Sequence, residues 1–372
     1  MTLAWCKKCI LPNSKPNLFL NKEGICYPCV NYEKRKKINW KSRANLFELL
    51  VKKIKKKNKN YDCLIPVSGG KDSTWQTSMA LKYGLRCLAF TWKPIARTSI
   101  GEKNLKNLIS LGVDHVDWTI NPQLEKKLML ISLKKFGSTA IPMHIAIHNI
   151  SRYLSSKLDI PLILWGENSD QEYGSGKLNI FNLNNLWRKK YSVTQNAKIN
   201  DFATNNMSKK ELLSLFPKYK NSNPKEVFLG SFFKWDPKQT FYFSKKIGFN
   251  EDVKPRVGTY NFADIDDDFI SIHHWIKWYK FGFTRDFDNL SIEIRSGRIS
   301  RQNAIKVIKK NINSLPMSDI KKFCLTTGIS LRTFFKIIRK FRNKKIWFYD
   351  GKNKIWKIKN FIIENYDWEM SN

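Results

Sequence analysis

The sequence predicts an α/β fold with a parallel sheet, preceded by a small cysteine-rich module and followed by a mostly helical region. Short apolar runs alternate with helix-like segments after residue 60, and four of the seven cysteines lie within the first 35 residues. Alternation of this kind is typical of parallel sheets with right-handed crossovers. It fades near residue 186, so we expect four parts: a cysteine module (1–35), a linker helix (36–60), an α/β domain (61–186) and a helical substrate or partner region (187–372).

Length and composition fit a folded protein of two or three domains. The chain has 372 residues, of which 42% are hydrophobic and 13% aromatic, and this length exceeds a typical single domain. No uninterrupted apolar run approaches the roughly 20 residues that span a bilayer. The first ten residues also lack the apolar stretch of a secretory signal. We therefore expect a cytoplasmic protein with no membrane partner.

The net charge of +36 is compatible with several anionic ligands. Nucleic-acid binding uses such a charge, but here the lysines greatly outnumber the arginines and are spread along the chain. A basic surface equally suits ATP, nucleotide sugars and acidic sugars. The net charge alone does not distinguish among these ligands, so RNA is still a possible ligand at this point.

Four cysteines near the N-terminus have the spacing of a zinc ribbon. Cys6 and Cys9 form one C-x₂-C pair, and Cys26 and Cys29 form a second pair after sixteen intervening residues. This pattern is typical of tetrahedral zinc sites. Because four thiolates close the coordination sphere, we expect a structural Zn²⁺. The alternatives are two disulfides, which a cytoplasmic location disfavours, a redox dithiol or an iron–sulfur site.

Local patterns give the elements in chain order. Apolar residues at helical spacing predict a helix over 40–57. The strand candidates are Cys63–Val67, Arg86–Trp92, His115–Thr119 and Leu162–Trp165, with helices Thr74–Tyr83, Gly101–Leu111 and Met143–Lys157 among the segments between them. Ligands bind at the carboxyl ends of such strands. The segments expected to meet there are Ser68–Ser73, Thr91–Lys93 and Gly166–Glu172.

The sequence predicts a mostly helical region after residue 186. Helices are predicted over Met207–Phe216, Pro237–Ile247, Asp266–Phe281, Ser300–Asn311 and Ser318–Thr326. The final aromatic and lysine-rich stretch, Lys344–Ile362, contains an Asp350-Gly351 turn that predicts a hairpin.

A glycine-containing hexapeptide, Ser68-Gly69-Gly70-Lys71-Asp72-Ser73, follows the first strand candidate. Glycines let backbone N–H groups approach an anion, and a helix N-terminus adds partial positive charge. The common nucleotide loop needs Ser or Thr after its lysine, whereas Asp72 stands there. The pattern instead resembles the S-G-G-x-D-S loop of the PP-loop ATP pyrophosphatases. In that superfamily the loop holds the leaving pyrophosphate. An ordinary turn is the alternative.

Charged residues beside this loop are candidates for catalysis. Lys71 would neutralise charge that develops on the phosphates. Asp72 and Glu167 are candidate Mg²⁺ ligands, with Asp170 second to Glu167, because Mg²⁺ prefers oxygen ligands beside phosphates. The alternative for Glu167 is a solvated acidic loop. Arg285 could clamp a carboxylate or phosphate with its planar fork, and a surface ion pair is the alternative.

The histidines and the remaining cysteines are interpreted as structural. His144 and His148 are four residues apart on an apolar helix without a neighbouring third ligand, so we expect helix-face or core residues, and we interpret His273 and His274 in the same way. The three other cysteines have apolar neighbours and are expected in the core. They are Cys63, Cys87 and Cys324.

Together these motifs resemble the N-acetyl sugar amidotransferase family, which serves bacterial O-antigen and flagellin-sugar biosynthesis. The resemblance runs nearly end to end. Its motifs, besides the cysteine pairs and the loop, are Trp165-Gly166-Glu167-Asn168, Trp235-Asp236-Pro237, Gly258-Thr259-Tyr260-Asn261, Lys280-Phe281-Gly282-Phe283-Thr284-Arg285 and Ile294-Arg295-Ser296-Gly297-Arg298-Ile299-Ser300-Arg301. One departure is Phe283-Thr284-Arg285-Asp286, where a second glycine and a less acidic continuation are expected.

The resemblance implies that an acetamido group on a sugar becomes an acetamidino group while ATP is cleaved to AMP and pyrophosphate. It implies ATP, Mg²⁺ and structural Zn²⁺ as cofactors. The implied ATP-binding residues are Pro66, Val67, Ser68, Gly69, Gly70, Lys71, Asp72, Ser73, Phe90, Thr91, Trp92 and Gly166. The implied substrate-binding residues are Asn168, Asp170, Tyr260, Asn261, Lys280 and Arg285. A nucleotide-linked diacetamido uronic acid and a sialic-acid-like nonulosonate are both compatible substrates.

The source of ammonia is a separate question. Because the chain begins Met1-Thr2 and not with Cys, we expect no N-terminal-nucleophile glutaminase within it. We therefore expect a separate glutaminase partner or the use of free ammonia. The main alternative function is a tRNA-modifying thiolase, since those enzymes also join a zinc ribbon to a PP-loop. A nucleic-acid-binding zinc module with a degenerate ATP fold is the other alternative, and we expect no nucleic-acid partner.

Overall fold

The computed structural model describes residues 2–167, 172, 197–203, 207–213, 215–218, 224–364, 366 and 368. Within these ranges the protein is a mixed α/β fold with a five-stranded parallel sheet, a cysteine cluster at the N-terminus and a mostly helical C-terminal part. The predicted fold class is therefore confirmed. None of the helices in these ranges combines the length and the apolar character that a membrane span requires.

The sheet has the strand order β3-β2-β1-β4-β5, and all neighbours pair in parallel. Its strands are β1 (Cys63–Pro66), β2 (Cys87–Trp92), β3 (Asp114–Trp118), β4 (Leu162–Trp165) and β5 (Lys225–Phe228). All six residues of β2 are buried, as expected for a strand with helices on both faces. The edge strand β3 instead leaves Asp114 and Asp117 exposed, and charges on an edge strand disfavour further pairing.

The helices precede, separate and follow these strands. The helices before the last sheet strand are α1 (Tyr27–Lys36), α2 (Trp40–Lys55), α3 (Lys71–Lys82), α4 (Ser99–Ile109), α5 (Pro122–Phe136), α6 (Ile141–Lys157) and the short α7 (Lys209–Leu212). Those after it are α8 (Pro237–Lys246), α9 (Ile270–Phe281), α10 (Arg285–Arg295), α11 (Arg301–Asn311), α12 (Met317–Thr327) and α13 (Leu331–Arg339). A hairpin of β6 (Trp347–Asp350) and β7 (Ile355–Ile358) follows α13.

Alternate residues of β1 enter different cores, because successive side chains of a strand point to opposite faces. Cys63 and Ile65 pack with residues of α2, α3 and α4 on one face. Leu64 packs with residues of α5 and α6 on the other face. The sheet is therefore the middle layer of three.

A further core joins the two ends of the chain. The four N-terminal cysteines pack in one cluster with apolar residues of α9 to α13 and of the final hairpin, among them Trp278 and Phe323. The cysteine module is thus part of the C-terminal core.

The structure confirms the four predicted strands and the hairpin, and it adds elements that the sequence did not reveal. Strand β5 lies after residue 186, in the region expected to be helical, and it has only four residues, beginning with Lys225 and Glu226. A strand this short and polar shows no clear alternation. Helices α1, α5, α10 and α13 were not among the helices named from the sequence either. The segment predicted as a helix over 207–216 is helical only at Lys209–Leu212 within its described part.

Candidate functional site

The loop between β1 and α3 lies at the carboxyl end of the sheet. In the strand order β3-β2-β1-β4-β5, the chain adds β2 and β3 on one side of β1 and then β4 and β5 on its other side. The space between β1 and β4 is therefore a topological switch point, and ligands bind at such points. Helix α3 begins at Lys71, with Gly70 as its N-cap, so the first free N–H groups of a twelve-residue helix belong to this loop. The predicted hexapeptide is therefore placed where an anion is expected.

Gly69 is required for this loop geometry. Its φ of +86° is in the region that favours glycine, and a Cβ there would lie 2.6 Å from the backbone N of Leu105 on α4. The remaining loop contacts are local: the Gly70 N–H donates to Ser68 Oγ at 3.3 Å, and Ser73 Oγ donates to Gly70 O at 2.9 Å. The loop is held by its own side chains and by close packing on α4.

Lys71 and Asp72 form an ion pair at the start of α3. The Lys71 side chain is buried, and its ammonium lies 5.7 Å from the ring centroid of Trp235 and 5.8 Å from that of Phe262. Asp72 Oδ1 accepts hydrogen bonds from Trp235 Nε1 at 2.8 Å and from Thr240 Oγ1 at 3.2 Å. Two aromatic faces and one carboxylate therefore position the ammonium beside the loop.

A second carboxylate, Glu167, follows the end of β4. Burial raises the pKa of Glu167 to about 7, and the negative charge of Asp72 adds to the increase. Among the charged residues, Asp72 has the largest effect in raising the pKa of Glu167. A divalent cation between them would relieve this repulsion, and carboxylates beside phosphates are the ligands that Mg²⁺ prefers. The two side chains therefore fit the predicted Mg²⁺ site.

Residues 258–268, which we call the capping segment, cover the loop from the C-terminal half of the chain. Burial raises the pKa of Asp266 to about 6, although the nearby Ser68 hydroxyl acts in the opposite direction. The Asp266 carbonyl accepts the Thr98 N–H at 3.1 Å. A Cβ on Gly101 would lie 2.7 Å from the Asp266 Cα, so the capping segment packs directly on the first turn of α4.

The other predicted ATP-binding residues lie at the same edge of the sheet. Phe90, Thr91 and Trp92 are buried at the end of β2, and the Val67 N–H donates to the Phe90 carbonyl at 2.8 Å. Gly166, at the end of β4, accepts the Gly230 N–H at 3.0 Å through its carbonyl. The ends of β1, β2 and β4 thus converge, as the sequence predicted.

Four of the six predicted substrate-binding residues lie in the described part of the chain, and all four have hydrogen-bond partners there. Tyr260 is buried, and its hydroxyl donates to Glu293, while Asn261 Nδ2 donates to the Asp252 carbonyl at 2.9 Å. Lys280 and Arg285 are only partly buried. Lys280 donates to the Phe136 carbonyl at 2.6 Å, and Arg285 Nε donates to Asp264 at 2.8 Å. Asn168 and Asp170 lie outside the described residues, so their roles stay predictions.

The four N-terminal cysteines are buried, and their sulfur atoms all lie within 4.8 Å of one another. The Cys6–Cys29 and Cys9–Cys26 sulfur pairs are 4.0 and 3.6 Å apart. A tetrahedral Zn–S site with bonds of about 2.3 Å has sulfur–sulfur edges of about 3.8 Å. The cluster therefore fits a structural zinc ion.

An arginine pair links this cluster to the sheet edge. Arg35, in α1, forms an ion pair with Glu172 and donates to the Trp235 carbonyl at 3.4 Å. Arg295 Nη2 donates to the Glu172 carbonyl at 3.3 Å, and the acidic groups around it, among them Cys9 and Glu172, raise the pKa of Arg295 despite its burial.

The sequence did not identify Trp235, Arg35 or Arg295 as site residues. The available signal was weak: Trp235 and Arg295 lie in motifs of the family resemblance, but nothing local shows what their side chains contact.

The fold and the loop define an α/β protein with an anion-binding loop at the switch point of a parallel sheet. Residues 256–362 match the family model described as "LPS biosynthesis protein WbpG-like, C-terminal domain". No curated protein matches the chain significantly. The chain is similar to the solved structure of NMN synthetase from Francisella tularensis, with 13% identity, 79% of this chain and 98% of that chain covered, and a TM-score of 0.39. The family match covers the region that contains the whole capping segment and helices α9 to α13.

Proposed function

We propose that this protein is an ATP-dependent amidotransferase that converts the acetamido group of an N-acetylated sugar into an acetamidino group, with release of AMP and pyrophosphate. One observation carries the proposal: the capping segment, which lies wholly in the region that matches an LPS-biosynthesis domain, contacts the loop after β1 through Asp266 and Phe262. The loop after β1, which suits a triphosphate, would therefore form one site with residues of the region that matches the LPS-biosynthesis domain. The family resemblance of the sequence motifs supports the same reaction.

The proposed chemistry has two steps. The acetamido oxygen attacks the α-phosphorus of ATP, the bond to the bridging oxygen of the β-phosphate breaks, and pyrophosphate leaves. Loss of the amide proton gives an imidate that carries AMP on its oxygen. Ammonia then adds to the imidate carbon, and the carbon–oxygen bond to AMP breaks to give the amidine. Activation is needed because nitrogen donation makes an amide carbon a poor electrophile.

The residues of the loop would mainly orient the reactants and neutralise charge, which are large terms in phosphoryl and nucleotidyl transfer. Lys71 and the N–H groups at the start of α3 would stabilise the leaving pyrophosphate. Asp72 and Glu167 would hold Mg²⁺, which supplies charge neutralisation when bound. Trp235 and Thr240 would keep the Asp72 carboxylate oriented through the hydrogen bonds described above.

We further propose that the reaction takes place in the cytoplasm and that ammonia comes from a separate glutaminase or from solution. The thiolase alternative receives no support from the described cysteines outside the cluster. Cys63 and Cys87 are buried at the first residues of β1 and β2, at the end of the sheet opposite the loop. Neither thiol is placed to act on a nucleotide at the loop.

The test is an incubation of the purified protein with ATP, Mg²⁺, ammonium chloride and a panel of acetamido sugars. We expect AMP and pyrophosphate together with a sugar product in which oxygen is replaced by NH, measured by chromatography and mass spectrometry. Lys71→Met should abolish AMP release. Lys106→Met, at a lysine with 75% of its side chain exposed, is the matched control. Formation of ADP and phosphate, or equal activity in both variants, would refute the proposal.

A further inference from the structure

A small cavity lies at the carboxyl end of β2. It is bounded by Trp92, the last residue of that strand, by α5, by the start of α6 and by Asp267 of the capping segment. Its volume is about 20 Å³, and a single water molecule needs at least about 10–15 Å³. The cavity therefore has room for one molecule of that size.

Two carboxyl groups line this cavity. Glu125 of α5 has only 6% of its surface exposed and accepts the Ile95 N–H at 3.3 Å. Asp267 Oδ1 accepts the Phe269 N–H at 3.0 Å. Neither carboxyl forms an ion pair with a basic residue in the part of the chain that the structure describes. Buried carboxylates are usually paired, so a positive partner for these two is missing from the protein itself.

The ionisation of the two groups reflects this missing partner. Burial raises the pKa of Glu125 to about 7. It also raises the pKa of Asp267 to about 8, and the charges of Asp266, Glu125 and Asp268 add to the increase. A cation in the cavity would offset both the burial and the repulsion.

The size of the cavity favours ammonium over Mg²⁺. Because Mg²⁺ requires octahedral oxygen ligands and usually keeps several waters, it does not fit a space that holds one water-sized molecule. Ammonium has the size of a water molecule and binds by donating N–H groups, which Glu125 and Asp267 can accept. Thr139 supplies a third acceptor, since its hydroxyl oxygen keeps lone pairs while it donates to the Phe269 carbonyl at 3.1 Å.

The rest of the wall is mostly apolar, and this favours loss of a proton from ammonium. An ammonium–carboxylate pair in such surroundings loses the hydration of two charges, whereas ammonia and a carboxylic acid carry none. Transfer of one proton breaks an N–H bond, forms an O–H bond on the carboxylate and gives this neutral pair. Only ammonia has the lone pair that attack on an imidate carbon requires. The apolar lining includes Met129, Pro142 and Met143.

The cavity and the loop are neighbours at the same edge of the sheet. The Phe90 carbonyl accepts the N–H of Val67, the residue before Ser68. Trp92, which lines the cavity, follows Phe90 by two residues in the same strand, and two residues of chain span at most about 7 Å. A small neutral molecule that leaves the cavity therefore has a short distance to travel to the loop.

We propose that this cavity binds one ammonium ion between Glu125 and Asp267 and releases it as ammonia to the loop. This inference rests on the proposed function, and it names the site that takes up the nitrogen donor. Glu125 is the proton acceptor, because it is the more deeply buried of the two carboxyl groups. Asp267 mainly holds the ion in place.

Thallium(I), an electron-dense ion of about the size of ammonium, is the probe for binding. Crystals of the protein soaked in thallium(I) acetate should show an anomalous peak between Glu125 and Asp267, and added ammonium chloride should displace it. Glu125→Gln should lose the peak. Glu48→Gln, at a glutamate of α2 with 52% of its side chain exposed, is the matched control and should keep it. A cavity without a peak in the wild type, or a peak that ammonium does not displace, would overturn the site.

Steady-state rates with ammonium chloride as the nitrogen donor test the role of the site. We expect Glu125→Gln to raise the KM for ammonium at least tenfold and to leave the KM for ATP unchanged, while Glu48→Gln behaves like the wild type. Melting temperatures report folding, and Asp267→Asn is the second variant if Glu125→Gln does not fold.

The outcomes separate this inference from the proposed reaction. An unchanged KM for ammonium in a folded Glu125→Gln variant, with potassium displacing thallium as well as ammonium does, would show a structural cation site and overturn the role in ammonia supply. A protein that binds thallium in competition with ammonium but forms no AMP would refute the proposed reaction and leave the ammonium site in place.

Discussion

Trp235 Nε1 donates a hydrogen bond of 2.8 Å to Asp72 Oδ1. This contact joins the C-terminal half of the chain to the first turn of α3, and it is reinforced by Ser244 Oγ, which donates to the Lys71 carbonyl at 2.7 Å. The orientation of the loop carboxylate therefore depends on residues more than 160 positions away in the sequence.

Trp235→Phe tests that dependence. The substitution removes the donor but keeps an aromatic ring beside Lys71, so the Asp72 carboxylate loses a hydrogen bond of the kind worth about 1.5–3 kcal/mol. We expect AMP release to fall by about tenfold to a hundredfold with little change in melting temperature. Trp356→Phe, in the distant hairpin, is the control. Wild-type turnover in Trp235→Phe would show that Asp72 needs no support from this indole.

Gly69→Ala tests the packing of the loop on α4. Alanine at a φ of +86° is strained, and its Cβ would lie 2.6 Å from Leu105 N. We expect a loss of more than about 2 kcal/mol in unfolding free energy, measured with urea, and loss of ATP binding. Gly112→Ala is a matched control, because Gly112 has a φ of +106° and a Cβ added there would meet no atom within 4 Å. The Gly112→Ala variant should lose only the unfolding free energy that backbone strain costs. A similar loss of unfolding free energy in both variants would therefore exclude the close contact with Leu105 as the cause.

The proposed Mg²⁺ site should bind its ion in a pH-dependent way, because Glu167 is one of its two proposed ligands. Because its pKa is raised to about 7, the carboxyl group is mostly protonated at pH 6 and mostly ionised at pH 8. Only the ionised form ligates Mg²⁺, so the apparent Mg²⁺ affinity should rise through this range. Calorimetric titrations at several pH values measure it. Glu167→Gln should bind more weakly and lose most of the dependence; an unchanged pH profile in that variant would remove Glu167 from the site.

The cysteine cluster should hold one zinc ion that stabilises the C-terminal core. Metal binding at a four-thiolate site contributes directly to folding, and here the four cysteines pack with α9 to α13. We expect one zinc per chain by elemental analysis and a clear decrease in melting temperature for Cys29→Ser. Cys324→Ala is the control, since Cys324 is buried in the same core and is not part of the cluster. Full zinc content in Cys29→Ser would contradict the assignment.

The sequence predicted those features whose information is local. The spacing of Cys6, Cys9, Cys26 and Cys29 is sufficient to predict a tetrahedral site, and an apolar run followed by two glycines is sufficient to place the loop between strand and helix. For the same reason, short runs of residues were sufficient to predict strands β1 to β4. The glycine positions report backbone geometry directly.

The contacts that complete the site are long-range and could not be predicted. Neither the pairing of Trp235 with Asp72 nor that of Arg35 with Glu172 follows from local pattern. Strand β5 is similarly dependent on its neighbour, because Lys225 and Glu226 have little intrinsic preference for a strand and pair with Leu162 and Ile163 of β4.

The most direct test of the proposed reaction follows the acetamido oxygen. A sugar labelled with ¹⁸O in its acetamido carbonyl is incubated with the protein, ATP, Mg²⁺ and ammonium chloride, and the products are examined by mass spectrometry. If that oxygen attacks the α-phosphorus, the label appears in the phosphate of AMP, one atom for each amidine formed. Recovery of unlabelled AMP beside a product that still carries ¹⁸O would contradict adenylation of the amide.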